Sequence, residues 1–277
     1  MGIVTRHDPI GETRRPAVWL PVASLWWREV VRFYRQPSRV IGGLGSPLVF
    51  WLLIGSGIGS SFRGPAGLEQ ANYLEFFFPG TLTMILLFTA IFSTVSVIED
   101  RREGFLQGVL VAPISRSVIV LSKILGGTTL AGVQGLVFLM LSPAVGVRPA
   151  LLGWLLAAAM IFMIAFALTG LGFVVAWPME STQGFHSVMN LFLLPLWLLS
   201  GSLFPASGAA AAIQWVMRLN PLSYGVDGLR TALYWPSPAG PAEWRSYLSC
   251  MVVTTVFCAM TFAASVYVAH SRGGGGK

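Results

Sequence analysis

The chain has 277 residues, of which 55% are apolar and only 10% are charged, where a soluble domain carries about 25% charged residues. A soluble core of this length cannot bury so much apolar surface, whereas a lipid bilayer solvates it. The formal net charge is +7, but the basic residues are spread along the chain, which argues against a nucleic-acid partner. The composition therefore predicts an all-α polytopic membrane protein.

Residues 1–37 are expected to form a cytoplasmic segment that contains a helix at the membrane surface. The first 16 residues are polar and the first apolar stretch contains arginines, so we expect no cleavable signal peptide. Val18–Gln36 has the pattern of an amphipathic helix, which Pro37 ends. Its polar stripe comprises Ser24, Arg28, Arg32 and Arg35, and its apolar face comprises Val22, Leu25, Trp26 and Phe33. Such a helix suits a lipid anchor and a docking surface for a cytoplasmic partner equally well.

Six apolar windows follow within residues 38–270, each long enough to cross a hydrocarbon core of roughly 30 Å. They are Val40–Phe62, Phe76–Ile98, Val118–Leu141, Leu151–Trp177, Phe185–Phe204 and Trp244–Val268. Lys123 lies near one end of the third window, where we expect its side chain to reach water. Residues 271–277 are expected to form a flexible cytoplasmic tail.

The distribution of basic residues predicts the topology. If the N-terminus is cytoplasmic, 13 of the 18 Lys and Arg residues lie on the cytoplasmic side, which is the expected positive-inside bias. Both termini are then cytoplasmic, as an even number of spans requires. The loop Pro178–Gly184 is placed inside although it contains no Lys or Arg.

The predicted inner loop Glu99–Ser117 has more pattern than a simple connection needs. It opens with five charged residues, breaks at Gly104, places Leu106 and Leu110 four residues apart, and is closed by Pro113. This pattern predicts a short helix parallel to the membrane. Its apolar side could bind in a groove of a partner or pack against the bundle itself.

The predicted outer segment Ile213–Trp235 reads as a re-entrant or interfacial hairpin, because its helix is too short to span. Asn220 is a favoured helix cap and Pro221 is favoured at the first helical position. The apolar positions of the helix are Leu222, Val226, Leu229 and Leu233. Asp227 and Arg230 are spaced to form an ion pair on the flank of the helix. The hairpin could brace the last two spans or cover an exit path.

Several kinds of chemistry are not expected in this chain. There are three His and two Cys, without an HExxH motif or a Cys/His cluster, so we expect no metal site. No GxxxxGK[ST] motif is present, and the predicted spans carry almost no ionisable groups of the kind that ion-coupled transporters use. Energy for uphill transport would therefore come from another subunit, and the chain is not expected to be an enzyme.

The sequence resembles the transmembrane permeases of ABC-2 type transporters, which include drug-resistance and lipo-oligosaccharide exporters. The resemblance covers nearly the whole chain and depends on motifs that occur in order along the six spans. These are the basic N-terminal helix, Glu103–Gly104 through Leu110–Arg116, Lys123 with Gly126, and Asn220–Pro221–Leu222–Ser223–Tyr224 with Asp227 and Arg230. Phe105 departs from the pattern, since the family more often has a small hydroxyl residue there.

The resemblance implies a permease homodimer in the plasma (inner) membrane of a bacterium, with two copies of a cytoplasmic ATPase that binds ATP and Mg. The coupling and ATPase contact would then comprise Glu103, Gly104, Leu106, Leu110 and Pro113, supported by Arg28 and Arg32 of the N-terminal helix. ATP-driven closure of the ATPases would open a path between the second and fifth spans.

Aromatic, Met and polar side chains on those two spans suit an amphipathic substrate, such as a drug, a lipid or a lipid-linked glycan. The candidate path residues are Phe88, Phe92, Met189, Asn190 and Trp197. Ordinary helix packing in lipid also explains such residues. The alternative function is a self-contained secondary transporter or channel, which would need an intramembrane charge or a selectivity ring.

Overall fold

The computed structural model describes residues 19–59, 72–111, 114–235 and 246–271. Within these ranges the chain forms ten α-helices and no strand. The helices are α1 (Trp19–Tyr34), α2 (Pro37–Ile58), α3 (Tyr73–Arg102), α4 (Phe105–Val111), α5 (Arg116–Leu139), α6 (Leu151–Ala176), α7 (Thr182–Trp197), α8 (Ala211–Leu219), α9 (Pro221–Leu233) and α10 (Tyr247–Ser271). A π-helical segment, Leu198–Ser202, continues α7.

The six predicted spans are confirmed as α2, α3, α5, α6, α7 with its π-helical extension, and α10, all of which are long and apolar enough to cross a membrane. Helix α3 extends beyond the predicted window at both ends. This helix has 30 residues and ends at Arg102, so the charged residues that were expected to open the inner loop form its last turn. The predicted tail at 272–277 lies outside the described residues, as do residues 1–18 before α1.

Helices α3 and α5 form the centre of the bundle and are buried along most of their length, whereas only a minority of the residues of α2 and α10 are buried. Helix α6 packs against both central helices, and α10 packs against α6. Small residues allow the close approach that membrane helices use for association. For example, Gly127 of α5 faces Ser93 and Thr169, and Gly172 of α6 faces Thr94.

Arginine side chains show which helix ends lie together. Arg102 donates to the Glu180 carbonyl at 2.8 Å, next to the end of α6. Arg116 donates to the carbonyls of Ala269 and His270 at the end of α10, both at 3.0 Å. Cations favour the C-terminal ends of helices because the exposed carbonyls there carry partial negative charge.

The start of α5 and the ends of α3, α6 and α10 therefore share one end of the bundle with α4, which we call the α4 end. The six spans cross alternately, and the opposite end, which carries α8 and α9, is the α9 end. The segment predicted as the inner loop Pro178–Gly184 lies at the α4 end. It has no Lys or Arg of its own, but Arg102 of α3 binds its backbone at Glu180.

At the α9 end, the predicted helix start at Asn220 and Pro221 is confirmed. The Asn220 side chain accepts from the backbone N–H of Leu222 at 2.9 Å, and its amide donates to the carbonyls of Leu196 and Leu199 at 2.7 and 3.0 Å. These carbonyls lie at the π-helical break, where regular helix hydrogen bonding is interrupted. The four predicted apolar positions of α9 are all buried.

The flank position predicted for Arg230 is wrong. Its side chain is buried, donates to the Gly201 carbonyl at 3.1 Å and lies over the Phe76 ring at 4.7 Å. The contact with Asp227 is long, at 3.5 Å. The spacing of the two residues along α9 did not indicate that the break after α7 offers Arg230 a buried backbone acceptor. Tyr224 donates to the Arg218 carbonyl at 3.2 Å, which joins α9 to α8.

Gly80 of α3 provides a test of the contact between α3 and the break after α7. A Cβ atom at Gly80 would lie 2.6 Å from the Ser202 carbonyl oxygen and 2.9 Å from its Cα. Because the backbone cannot easily move, we expect Gly80→Ala to destabilise the fold by about 1–3 kcal/mol, measured as a lower midpoint of thermal unfolding in detergent. The matched control is Gly57→Ala in α2, where a Cβ meets nothing within 4 Å. Equal midpoints for the two variants would contradict this close contact.

Candidate functional site

A cluster of paired charges lies at the α4 end, where α1, α2, α3 and α5 meet. We call it the ion-pair cluster. Its cations are Arg28, Arg32, Arg39 and Lys123, and its carboxylates are Glu29, Glu99, Asp100 and Glu103. Four positive and four negative groups balance, so the cluster carries no net formal charge when all of them are ionised.

Asp100, in the last turn of α3, is the centre of the cluster and is fully buried. Arg28 binds it through both carboxylate oxygens, at 2.7 and 3.0 Å. Arg32 donates to it at 2.5 Å, and the Lys123 ammonium contacts its other side. A buried carboxylate is tolerated only when cations and hydrogen bonds replace the water that it has lost.

Lys123 of α5 joins the two most buried carboxylates. Its Nζ atom lies 2.7 Å from Glu29 Oε1, and the Ser96 hydroxyl donates to the other oxygen of Glu29 at 2.7 Å. The Lys123 side chain is only 8% exposed, so the prediction that it reaches water is wrong. The long side chain stays inside because α1 and α3 bring two counter-ions to it.

The cluster continues toward solvent at its edge. Arg32 lies 3.0 Å from Glu99 and 3.2 Å from Glu103, and Arg39 of α2 contacts Glu99. The Glu103 side chain is 59% exposed. Exposed pairs contribute about 0–1 kcal/mol each, so the stability of the cluster depends mainly on its buried centre.

Helix α1 docks against the other helices with the face that was predicted to be apolar. Its buried residues are Val22, Glu29 and Phe33, so the face predicted to be apolar packs against the bundle. An exposed stripe of Leu20, Trp27 and Tyr34, seven residues apart, points away from it. Arg28 and Arg32, which were expected to face headgroups or a partner, instead turn toward Asp100. The hydrogen bonds that Arg28 donates to Asp100 hold the pKa of Arg28 above its ordinary value, so Arg28 stays charged at any physiological pH.

The predicted short helix exists as α4, and Gly104 before it has φ +77°, a conformation that favours glycine. Leu106 is buried in the core, so this part of the predicted apolar face packs against the bundle. Val111 is 87% exposed. The side chain of Leu110 and the whole of Pro113 lie outside the described part of the chain.

Phe105, the residue that departs from the family pattern, begins α4 and receives the guanidinium of Arg28 over its ring, 3.6 Å from the ring centre. An open groove of about 520 Å³ separates α4 from the start of α1. It is lined by Leu20, Pro21, Leu25, Phe105, Val109 and Ile114, among others. Helices α1 and α4 therefore touch at Arg28 and Phe105 and are separated elsewhere by an apolar groove.

The candidate path residues differ in how far they are buried. Phe88 and Phe92 lie side by side at 6.1 Å, and both are half-buried. Met189 and Trp197 are buried against the bundle, and Trp197 donates its indole N–H to the Gly80 carbonyl at 2.9 Å. Asn190 is exposed on α7.

Asn190 belongs to a polar stripe on α7 that sequence reasoning missed. Gln183, Ser187 and Asn190 are all exposed and follow the spacing of one helix face. The sequence analysis also missed Glu29, Asp100 and Lys123 as partners. Glu29 follows Val22 by seven residues and precedes Phe33 by four, so helical spacing placed it on the buried face and could have identified it.

The buried centre of the cluster can be tested with Asp100→Asn. An amide cannot neutralise Arg28, Arg32 and Lys123, so we expect the free energy of unfolding to fall by about 3–5 kcal/mol, measured by thermal or denaturant unfolding of the purified protein. Arg35→Gln is the control, because Arg35 is an exposed arginine directly after α1 and its loss is expected to change stability by less than about 0.5 kcal/mol. An Asp100→Asn protein as stable as the control would show that the cluster is not a buried ionic centre.

Comparisons with known proteins agree with this architecture. The family described as ABC-2 type transporter matches residues 22–234. The putative transport permease ycf38 of Cyanophora paradoxa is 27% identical over 205 residues, which cover 73% of this chain and 70% of the relative.

Two nodulation relatives are also similar. Nodulation protein J of Neorhizobium galegae is 27% identical over 238 residues, or 83% of this chain and 85% of that protein. Nodulation protein J of Sinorhizobium fredii is 23% identical over 260 residues, or 92% of each chain. With six membrane-spanning helices and a family match over most of its length, the chain belongs to the ABC-2 type transporter family as a multi-pass membrane permease.

Proposed function

We propose that this chain is the permease subunit of an ATP-driven exporter, in which two copies form the path and each binds a cytoplasmic ATPase. The observation that carries the proposal is the position of α4. This short helix lies at one end of the bundle, exposes Val111, and meets the ion-pair cluster where the guanidinium of Arg28 lies over the Phe105 ring. A partner that presses on α4 would thus act on a rigid part of the permease.

ATP and Mg would bind to the partner subunit. The sequence of this chain has no GxxxxGK[ST] motif for phosphate binding, and its family supplies the membrane component of the transporter. Within the described ranges, no group of His, Cys, Asp and Glu side chains has the arrangement of a metal site. Hydrolysis in the partner would supply the energy, and this chain would convert it into movement of its helices.

The path would lie between α3 and α7, at the contact between two copies of the chain. The half-buried rings of Phe88 and Phe92 offer apolar surface, and Asn190 belongs to the exposed polar stripe of α7. Polar groups on a membrane helix are costly against lipid and favour a water-filled path or a protein neighbour. An amphipathic substrate, such as a drug, a lipid or a lipid-linked glycan, would match this mixture of surfaces.

The alternative is a self-contained ion-coupled transporter or channel. The buried charges of the ion-pair cluster favour it, because such proteins carry ionisable groups at membrane depth. Two features weigh against it. Asp100 and Glu29 are each bound by cations, and the cluster lies at the end of the spans next to α4. A proton-binding carboxylate would instead need access to a path and freedom to change its partner.

The ATPase contact can be tested by co-purification with the candidate ATPase. Val111→Asp places a carboxylate on the exposed side of α4, so it is expected to leave folding and insertion unchanged. It should nevertheless abolish partner binding, because an interface cannot bury an unpaired charge. The control is Met140→Asp, at an exposed position at the α9 end. Equal recovery of the ATPase with both variants would contradict the proposed contact.

The proposed orientation places the α4 end in the cytoplasm. Gly108 in α4 and Gly208 at the α9 end suit a matched pair of cysteine substitutions, because a Cβ at either position meets nothing within 4 Å. In a background without Cys250 and Cys258, an impermeant thiol reagent added to intact cells should label Gly208→Cys and leave Gly108→Cys unlabelled. Labelling of Gly108→Cys from outside would reverse the proposed orientation.

A further inference from the structure

Arg28 connects three separate elements through one side chain. It lies on α1, its N–H groups hold Asp100 at the end of α3 with two hydrogen bonds, and the face of its guanidinium covers the Phe105 ring at the start of α4. The edge of the planar guanidinium thus binds Asp100 while its face contacts the Phe105 ring. Lysine cannot reproduce this geometry, because its ammonium is a point charge without a planar fork.

Helix α4 needs such a contact to hold its position. It has seven residues, and a helix of this length is not stable alone in water. Gly104 before it has a positive φ, and the groove separates most of α4 from the start of α1. The described side-chain contacts that fix it include the burial of Leu106 on the bundle, the packing of Val109 against the core and the stacking of Phe105 under Arg28.

We propose that Arg28 is a positioning residue that clamps the first residue of α4 to the last turn of α3. A displacement of α4 would then reach α3 through Asp100, and α5 through Lys123, which shares that carboxylate. This inference deepens the proposed function, since it names the residue through which a partner on α4 would act on the spans. Phe105 is the aromatic half of the clamp.

The clamp can be tested on the permease alone in lipid nanodiscs, by hydrogen–deuterium exchange of the α4 amides at 105–111. Phe105→Leu keeps an apolar side chain of good helix propensity but removes the aromatic face. We expect exchange about ten-fold faster in Phe105→Leu and in Arg28→Lys, and wild-type exchange in Phe105→Tyr, which keeps the ring. Arg35→Gln, at an exposed arginine directly after α1, serves as the control. Wild-type exchange in both Phe105→Leu and Arg28→Lys would overturn the clamp.

Transmission can be tested in the complex with the ATPase, without knowledge of the substrate. In a background without the native cysteines, the maleimide labelling rate of Asn190→Cys on α7 is measured with and without ATP and vanadate. We expect a several-fold nucleotide-dependent change in the parent and in Phe105→Tyr, and none in Phe105→Leu with the ATPase still bound. A full change in Phe105→Leu would overturn the role in transmission.

The two experiments separate the possible failures. If the parent protein binds no ATPase, the proposed function fails, and the exchange measurement still decides whether Arg28 clamps α4. If the ATPase binds and neither Phe105→Leu nor Arg28→Lys changes the exchange rates, the proposed function stands and the positioning role of Arg28 is refuted.

Discussion

The burial of Asp100 under three cations is the interaction on which the α4 end of the molecule depends. An unpaired carboxylate at this depth would cost several kcal/mol, so Asp100 can be enclosed only if cations come to it. Two come from α1 and one from α5. Their pairing with Asp100 fixes which face of α1 packs against the bundle, and Lys123 also pairs with the buried Glu29. Arg28 in addition contacts Phe105 at the start of α4. The same charges explain why α3 continues to Arg102 beyond its apolar window.

The membrane-spanning part of the fold could be predicted from the sequence because its cause is local. A run of about 20 apolar residues is enough to define a span whatever its neighbours are, and all six windows correspond to helices. The ends of the spans could not be placed in the same way. Glu99–Arg102 reads as the start of a loop, because the sequence does not reveal that arginines about 70 positions earlier neutralise its carboxylates.

The orientation of α1 shows a second limit. Val22 and Phe33 lie on one apolar face, and Leu20, Trp27 and Tyr34 lie on another, so periodicity alone leaves open which face meets the bundle. The decision rests on Glu29, which shares the first face and finds Lys123 within the bundle. The predicted coupling residues Arg28, Arg32, Glu103, Gly104 and Leu106 do come together at the α4 end. The predicted path residues do not share one environment, since Met189 and Trp197 are buried in helix packing and Asn190 is exposed.

The α9 end solves a different problem, which is the cost of breaking a helix within a membrane. The π-helical segment after α7 interrupts the regular backbone hydrogen bonds, and lipid cannot replace the missing donors. Asn220 donates to the carbonyls of Leu196 and Leu199, and Arg230 donates to that of Gly201. The Asn220 side chain therefore has two tasks, since its oxygen caps α9 while its amide stabilises the end of α7. Arg230 is buried because its guanidinium donates to the Gly201 carbonyl at the same break. Its spacing to Asp227 had suggested an ion pair on the flank of α9. The α4 end is thus held by paired charges, and the α9 end by side chains that complete a broken backbone.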